Sequence, residues 1–134
     1  MLGSTTRGTS EDARSPTMKL FLDDMRRPPF GWDRVLTADA CIEVLSDQRH
    51  VRVEELSLDH DLHEEHYDTS RDPTTYHYKT GMAVVDWLAN AHIDLWPAIV
   101  YVHSLNERAR GEMVKRLKGY APPEVQVIDK PRLY

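Results

Sequence analysis

Cysteine is nearly absent from this chain of 134 residues: Cys41 stands alone. That excludes an internal disulfide and a cysteine zinc cluster, and it fits a reducing compartment, so a cytoplasmic protein is expected. No apolar run approaches the ~20 residues that a membrane span needs, and no secretory core follows the first residues. A basic excess is also missing. The chain has 17 Lys and Arg against 22 Asp and Glu, a net charge of -5. An extended nucleic-acid duplex is therefore not an expected partner, because gripping phosphate backbones takes a Lys/Arg patch. Residues 1–17 (MLGSTTRGTSEDARSPT) hold almost no large apolar side chains. They are predicted to be a disordered tail ahead of a single domain over 18–134, since burial there cannot offset ordering entropy.

What is present is a regular alternation. Apolar runs at 18–22, 35–36, 51–58, 98–102 and 125–128 read as strands. Helical spacing appears over 38–48, capped by Thr37, over 80–91, opened by Thr80-Gly81, and over 107–118, capped by Asn106. The polar stretch 63–79 reads as a long loop. No internal repeat occurs. Strands alternating with helices give an α/β fold with a parallel sheet and right-handed crossovers.

Chemistry concentrates at 59–68, where five carboxylates (Asp59, Asp61, Glu64, Glu65, Asp68) and three imidazoles (His60, His63, His66) crowd ten residues. Charge clusters are usually solvated surface, so the cluster matters only through its place in the fold. Four predicted strand ends carry polar groups: Asp23-Asp24, Asp59 to Asp61, His103-Ser104 and Asp129-Lys130. Parallel strands deliver such ends to one crevice. Converging carboxylates there repel unless a cation sits among them, and Mg²⁺ suits an all-oxygen site completed by water and phosphate. His63-Glu64-Glu65-His66 is one residue short of the zinc motif H-E-x-x-H, and His63 and His66 read as loop groups. Trp32, Trp87 and Trp96 read as packing residues, with a base-stacking role open for Trp32.

These residues resemble the receiver domain of two-component response regulators. Asp23-Asp24 stand for its acidic pair, Asp59 for its phospho-acceptor, Ser104 for its hydroxyl residue and Lys130-Pro131 for its final Lys-Pro. Closer still is the divergent branch of cyclic-phosphate-processing receiver-like domains. Its pattern is similar to Leu20-Phe21-Leu22-Asp23-Asp24 with Arg26 and Pro28-Pro29, Ser57-Leu58-Asp59-His60-Asp61-Leu62, Thr80-Gly81 with Trp87-Leu88, and Val102-His103-Ser104 with Asn106. The resemblance implies a receiver/flavodoxin-like three-layer sandwich around a central parallel sheet. Ten residues separate Asp24 from Val35, too few for a first crossover helix, which is expected to be reduced or missing.

The implied activity is that of a metal-dependent phosphoesterase acting on cyclic phosphates, in a cyclic nucleotide or at an RNA 2′,3′-cyclic end. Expected metal ligands for Mg²⁺ or Mn²⁺ are Asp23, Asp24, Asp59 and Asp61. His60 and His103 are expected as general base and acid beside Asp59. Ser104, Asn106, Arg26, Arg110, Thr80 and Lys130 are expected to meet phosphate or substrate. Two other readings remain open: a signalling receiver phosphorylated on Asp59, and a non-catalytic module that binds a nucleotide or a partner.

Overall fold

The computed structural model describes residues 16–131. Five strands, β1 (Thr17–Leu22), β2 (Asp33–Val35), β3 (Arg52–Leu58), β4 (Ile99–Val102) and β5 (Gln126–Asp129), form one sheet in the order β2-β1-β3-β4-β5. Every pairing is parallel. Among the described residues three α-helices complete the fold: α1 (Ala38–Ser46), α2 (Met82–Asn90) and α3 (Glu107–Tyr120). This is the parallel α/β sheet expected from the alternation of apolar runs, in the receiver/flavodoxin-like form that the resemblance implies.

Alternation along the strands decides where the core lies. Leu20, Leu22, Leu56, Leu58, Val100 and Val102 join Cys41, Leu45, Val84, Val85, Leu88, Met113 and Leu117 in one buried cluster, with α2 packed between α1 and α3. The intervening residues Phe21, Ser57 and Tyr101 point to the other face of the sheet. No helix joins β1 to β2; the ten-residue loop 23–32 makes that parallel connection. The layer a first crossover helix would supply shrinks to this loop. Its Trp32 packs edge-on against Phe21 (6.2 Å) and Tyr101 (5.9 Å). Trp32 is thus a packing residue.

Several boundaries differ from the sequence reading. β1 begins at Thr17, and the Pro16 carbonyl accepts from Arg52 N (3.0 Å), so order starts ahead of Met18. The rest of the predicted tail, 1–15, lies outside the described residues. Thr37 caps α1 as expected, its hydroxyl accepting from Ala40 N at 3.1 Å. The helix stops at Ser46, two residues short, because Gln48 is recruited elsewhere. Its side-chain amide donates to Leu45 O and Leu95 O and its carbonyl accepts from Val53 N (2.9 Å), tying α1 to β3. Among the described residues no helix is long and apolar enough to cross a membrane.

Candidate functional site

Strand register builds the site. Leu22 pairs with Leu58 and Leu58 with Val102, so the residues that follow them, Asp23, Asp59 and His103, stand side by side at the carboxyl edge. The ladder runs on through their backbones: Asp59 N donates to Leu22 O and His103 N to Leu58 O. All three side chains are buried, and one oxygen of each carboxylate and a ring nitrogen of His103 lie within 4.8 Å of one another.

Asp23 is tightly held. Its Oδ1 accepts from Met25 N (2.9 Å) and Arg26 N (2.8 Å), while its Oδ2 faces His103 Nε2 (3.0 Å) and Arg26 Nε (3.4 Å). Burial works to raise its pKa, but these donors outweigh burial and hold it below the usual carboxylate range. Asp59 has fewer donors, chiefly His60 N (2.8 Å) and the Ser104 hydroxyl. Burial, reinforced by the Asp23 charge, pushes its carboxyl up to about 7. Two buried carboxylates of opposite tendency therefore share one floor.

His103 does not meet the cavity. Its ring is fully buried, stacked on Phe21 at 4.4 Å, with Nδ1 2.6 Å from Ser57 Oγ. An ionised Asp23 requires a proton on Nε2, so Nδ1 accepts from the Ser57 hydroxyl and the ring is neutral. Burial lowers its pKa in the same sense. Sequence reasoning expected a general acid here and passed over Ser57, whose signal was a hydroxyl inside the apolar run Leu56-Ser57-Leu58.

A cavity of about 610 Å³ opens above the carboxylates, lined by Asp23, Asp59, Asp61, Arg26, Ser104 and Asn106 among others. His60 faces away from it. Its Nδ1 meets Asp61 Oδ1 at 2.7 Å, and its ring lines a neighbouring cleft with Thr80 and Tyr76 that adjoins the first at Asn106. Other expected residues take supporting places. Thr80 Oγ1 accepts from Met82 N. Arg110 pairs with Asp129 (2.7 Å) and donates to Ser104 O (2.8 Å), fixing the β4–α3 turn instead of lining the cavity. Asn106 caps α3 through Ala109 N (3.1 Å). Asp24 accepts from Tyr67 Oη (3.2 Å) outside the cavity lining, and Lys130 is exposed and outside it too.

The 63–79 stretch is more ordered than a simple loop and forms a wall. Glu65 accepts from His77 N (2.8 Å) and Tyr78 N (2.7 Å), and Arg71 approaches at 3.3 Å. His66 is buried: Nδ1 accepts from Leu62 N (2.8 Å) and Nε2 donates to Tyr78 O (2.9 Å), which fixes a neutral tautomer. His66 is not a surface loop group, and both ring nitrogens are spent. Tyr67, also passed over in the sequence, lines the cavity and bonds Asp61 O (3.1 Å) as well as Asp24. Burial tends to raise the Glu65 pKa, but the two N–H donors and Arg71 hold it low. Its contribution is therefore complete above the ordinary carboxylate range and is lost as pH falls through the lowered value. Replacing Glu65 by Ala is expected to speed amide exchange across 64–79 at neutral pH without altering exchange in β3, read by mass spectrometry.

Gly81 explains the Thr80-Gly81 pair. Its N–H donates to His60 O (2.8 Å), and a Cβ there would overlap the Asp59 carbonyl oxygen and press on His60 Cα (3.2 Å). Its backbone is helical (φ -60°, ψ -20°), a conformation alanine adopts readily. Gly81→Ala should nonetheless destabilise by about 1–3 kcal/mol through forced displacement of the Asp59 turn. Urea unfolding checks this, and an unchanged or raised stability would refute the close approach.

Comparison with curated proteins and with solved structures gives no match. A family profile described as "Cyclic-phosphate processing Receiver domain" matches residues 18–119, most of the chain and every element from β1 through α3. With this match and the Asp23, Asp59 and His103-Ser104 strand ends in place, the chain belongs to the family of cyclic-phosphate processing receiver domains.

Proposed function

We propose that the protein is a divalent-metal-dependent phosphoesterase that opens cyclic phosphates. The observation that carries this reading is the Asp23–Asp59 pair, two buried carboxylates sharing one cavity floor, with Asp59 pushed up to about 7 by burial and its neighbour. Such a pair fits a hard cation: the donors are oxygens, and the repulsion between them is what a divalent ion relieves. Asp23 and Asp59 would hold Mg²⁺ or Mn²⁺, which supplies charge neutralisation at a phosphoryl oxygen.

The protein's own groups divide the remaining work. Arg26 and Ser104 line the same cavity and would bind phosphate oxygens, Arg26 through the guanidinium nitrogen not engaged with Asp23 and the His103 carbonyl. Asp61, with His60 on its Oδ1 at 2.7 Å, takes the proton of the attacking water, and the pair returns one proton to the leaving oxygen. His103 acts at one remove: it orients Asp23 and is itself oriented by Ser57. The phosphate stays with the substrate, so a cyclic diester becomes a monoester.

Ser104 bonded to Asp59 at the cavity also suits the second reading, a receiver phosphorylated on Asp59. Thermal denaturation with Mg²⁺ or Mn²⁺, followed by incubation with acetyl phosphate, separates the two. The phosphoesterase reading expects metal stabilisation and no lasting adduct. A stable phosphoryl group on Asp59 would favour the receiver, and absence of any metal effect would remove the proposed site.

A further inference from the structure

The cavity has a charged floor and an apolar rim. Met25 and Leu105 both line it, and they are 70% and 63% exposed. Their positions follow from topology. Met25 lies just beyond β1 and Leu105 just beyond β4, and these strands flank β3 on either side, so the two residues leave the sheet edge on either side of the strand that ends at Asp59. Single exposed apolar residues are ordinary. Two of them lining one cavity together with three carboxylates are a feature of that cavity.

We infer that Met25 and Leu105 bracket the base of a mononucleoside cyclic phosphate, making them the residues that select a nucleoside substrate over a base-free phosphate and over an RNA end. This rests on the reading of the site as a cyclic-phosphate site. Three observations converge on it. A volume of about 610 Å³ suits one nucleotide. Thioether and isobutyl groups offer an aromatic base polarisable and apolar contact on its two faces. Charge argues against a polymer: among the described cavity-lining residues Arg26 is the one permanent cation, beside Asp23, Asp59 and Asp61, and the chain carries a net charge of -5. A strand of RNA needs a track of Lys and Arg for its further phosphates, whereas a single cyclic phosphate needs one cationic contact and the floor.

The test uses the full chain with Mg²⁺ and methyl-labelled Met and Leu. The probes are 2′,3′-cyclic AMP, the base-free 1-O-methylribose 2,3-cyclic phosphate, and a short oligoribonucleotide ending in a 2′,3′-cyclic phosphate. The inference expects the mononucleotide to shift the Met25 and Leu105 methyl resonances and to bind at least about tenfold tighter than the base-free probe, with Met25→Ala or Leu105→Ala each closing most of that gap. Both side chains are largely exposed, so these variants are expected to keep the wild-type melting temperature. Equal binding of the base-free probe, or about tenfold tighter binding of the oligonucleotide, would overturn it. Binding is read apart from turnover. Base-dependent binding with no hydrolysis would sustain the bracket and sink the phosphoesterase, and hydrolysis indifferent to the base would do the reverse.

Discussion

Asp59→Asn is expected to make the metal-free protein more stable at pH 8 while eliminating the proposed phosphoesterase activity. The Asp59 carboxyl is raised from an ordinary 3.8 to about 7 because burial and the Asp23 charge oppose its ionisation. A raised carboxyl favours folding fully below the unfolded value and loses that contribution as pH climbs through the folded one. Wild type and variant should therefore match near pH 4, diverge between about 4 and 7, and differ by a constant amount above. At about 1.4 kcal/mol per pH unit the plateau is on the order of 4 kcal/mol, roughly 15 °C in melting temperature. His103 titrates in the opposite sense, since burial lowers its pKa and the neutral ring is the folded form. It is present in both proteins, so the difference between them isolates Asp59. Added Mg²⁺ should stabilise the wild type and leave the variant unmoved. Equal stabilities from pH 4 to pH 8 would contradict this electrostatic account.

His103→Ala is expected to cost about 3–5 kcal/mol, the largest loss of any single substitution at the site. Three penalties coincide. The Asp23 carboxylate loses its 3.0 Å ring donor while remaining buried, the Ser57 hydroxyl loses its 2.6 Å acceptor, and Phe21 loses the ring stacked against it. Urea unfolding at pH 7 measures the cost. A loss below about 1 kcal/mol would mean that His103 is not holding Asp23. Ser57→Ala should be milder, about 1 kcal/mol, because the hydroxyl and its lone acceptor are both neutral.

Much of the fold was legible in the sequence because its signals are local. Four of the five strands are apolar runs ending in polar groups, and Thr37 and Asn106 announce their helices as caps that the structure reproduces. The exception is β2, which lies at Asp33–Val35 instead of the expected 35–36 because pairing with Leu20 to Leu22 sets it. The missing crossover helix was legible too, since ten residues cannot form one. The partners inside the site were harder to read, because they are distant in the chain. His103 and Asp23 lie 80 positions apart and His103 and Ser57 46 apart. Nothing local distinguishes a buried histidine that orients a carboxylate from an exposed one that moves protons. The same holds for 63–79, whose polarity reads as solvated loop. Glu65 and His66 face inward there because they find backbone partners at Tyr78. Arg110 and Lys130 follow the opposite course: residues suited to phosphate by type stand where the sheet edge turns them elsewhere.

Metal-dependent opening of a cyclic phosphate on the Asp23–Asp59 floor is the activity proposed for this protein. Phosphorus NMR of 2′,3′- and 3′,5′-cyclic nucleotides incubated with the protein and Mg²⁺ or Mn²⁺ tests it most directly. A cyclic phosphodiester resonance is expected to convert to that of a nucleoside monophosphate, and the conversion to be abolished by chelation of the metal and by Asp59→Asn. Cyclic resonances that persist with both metals, for every nucleotide tried, would contradict it.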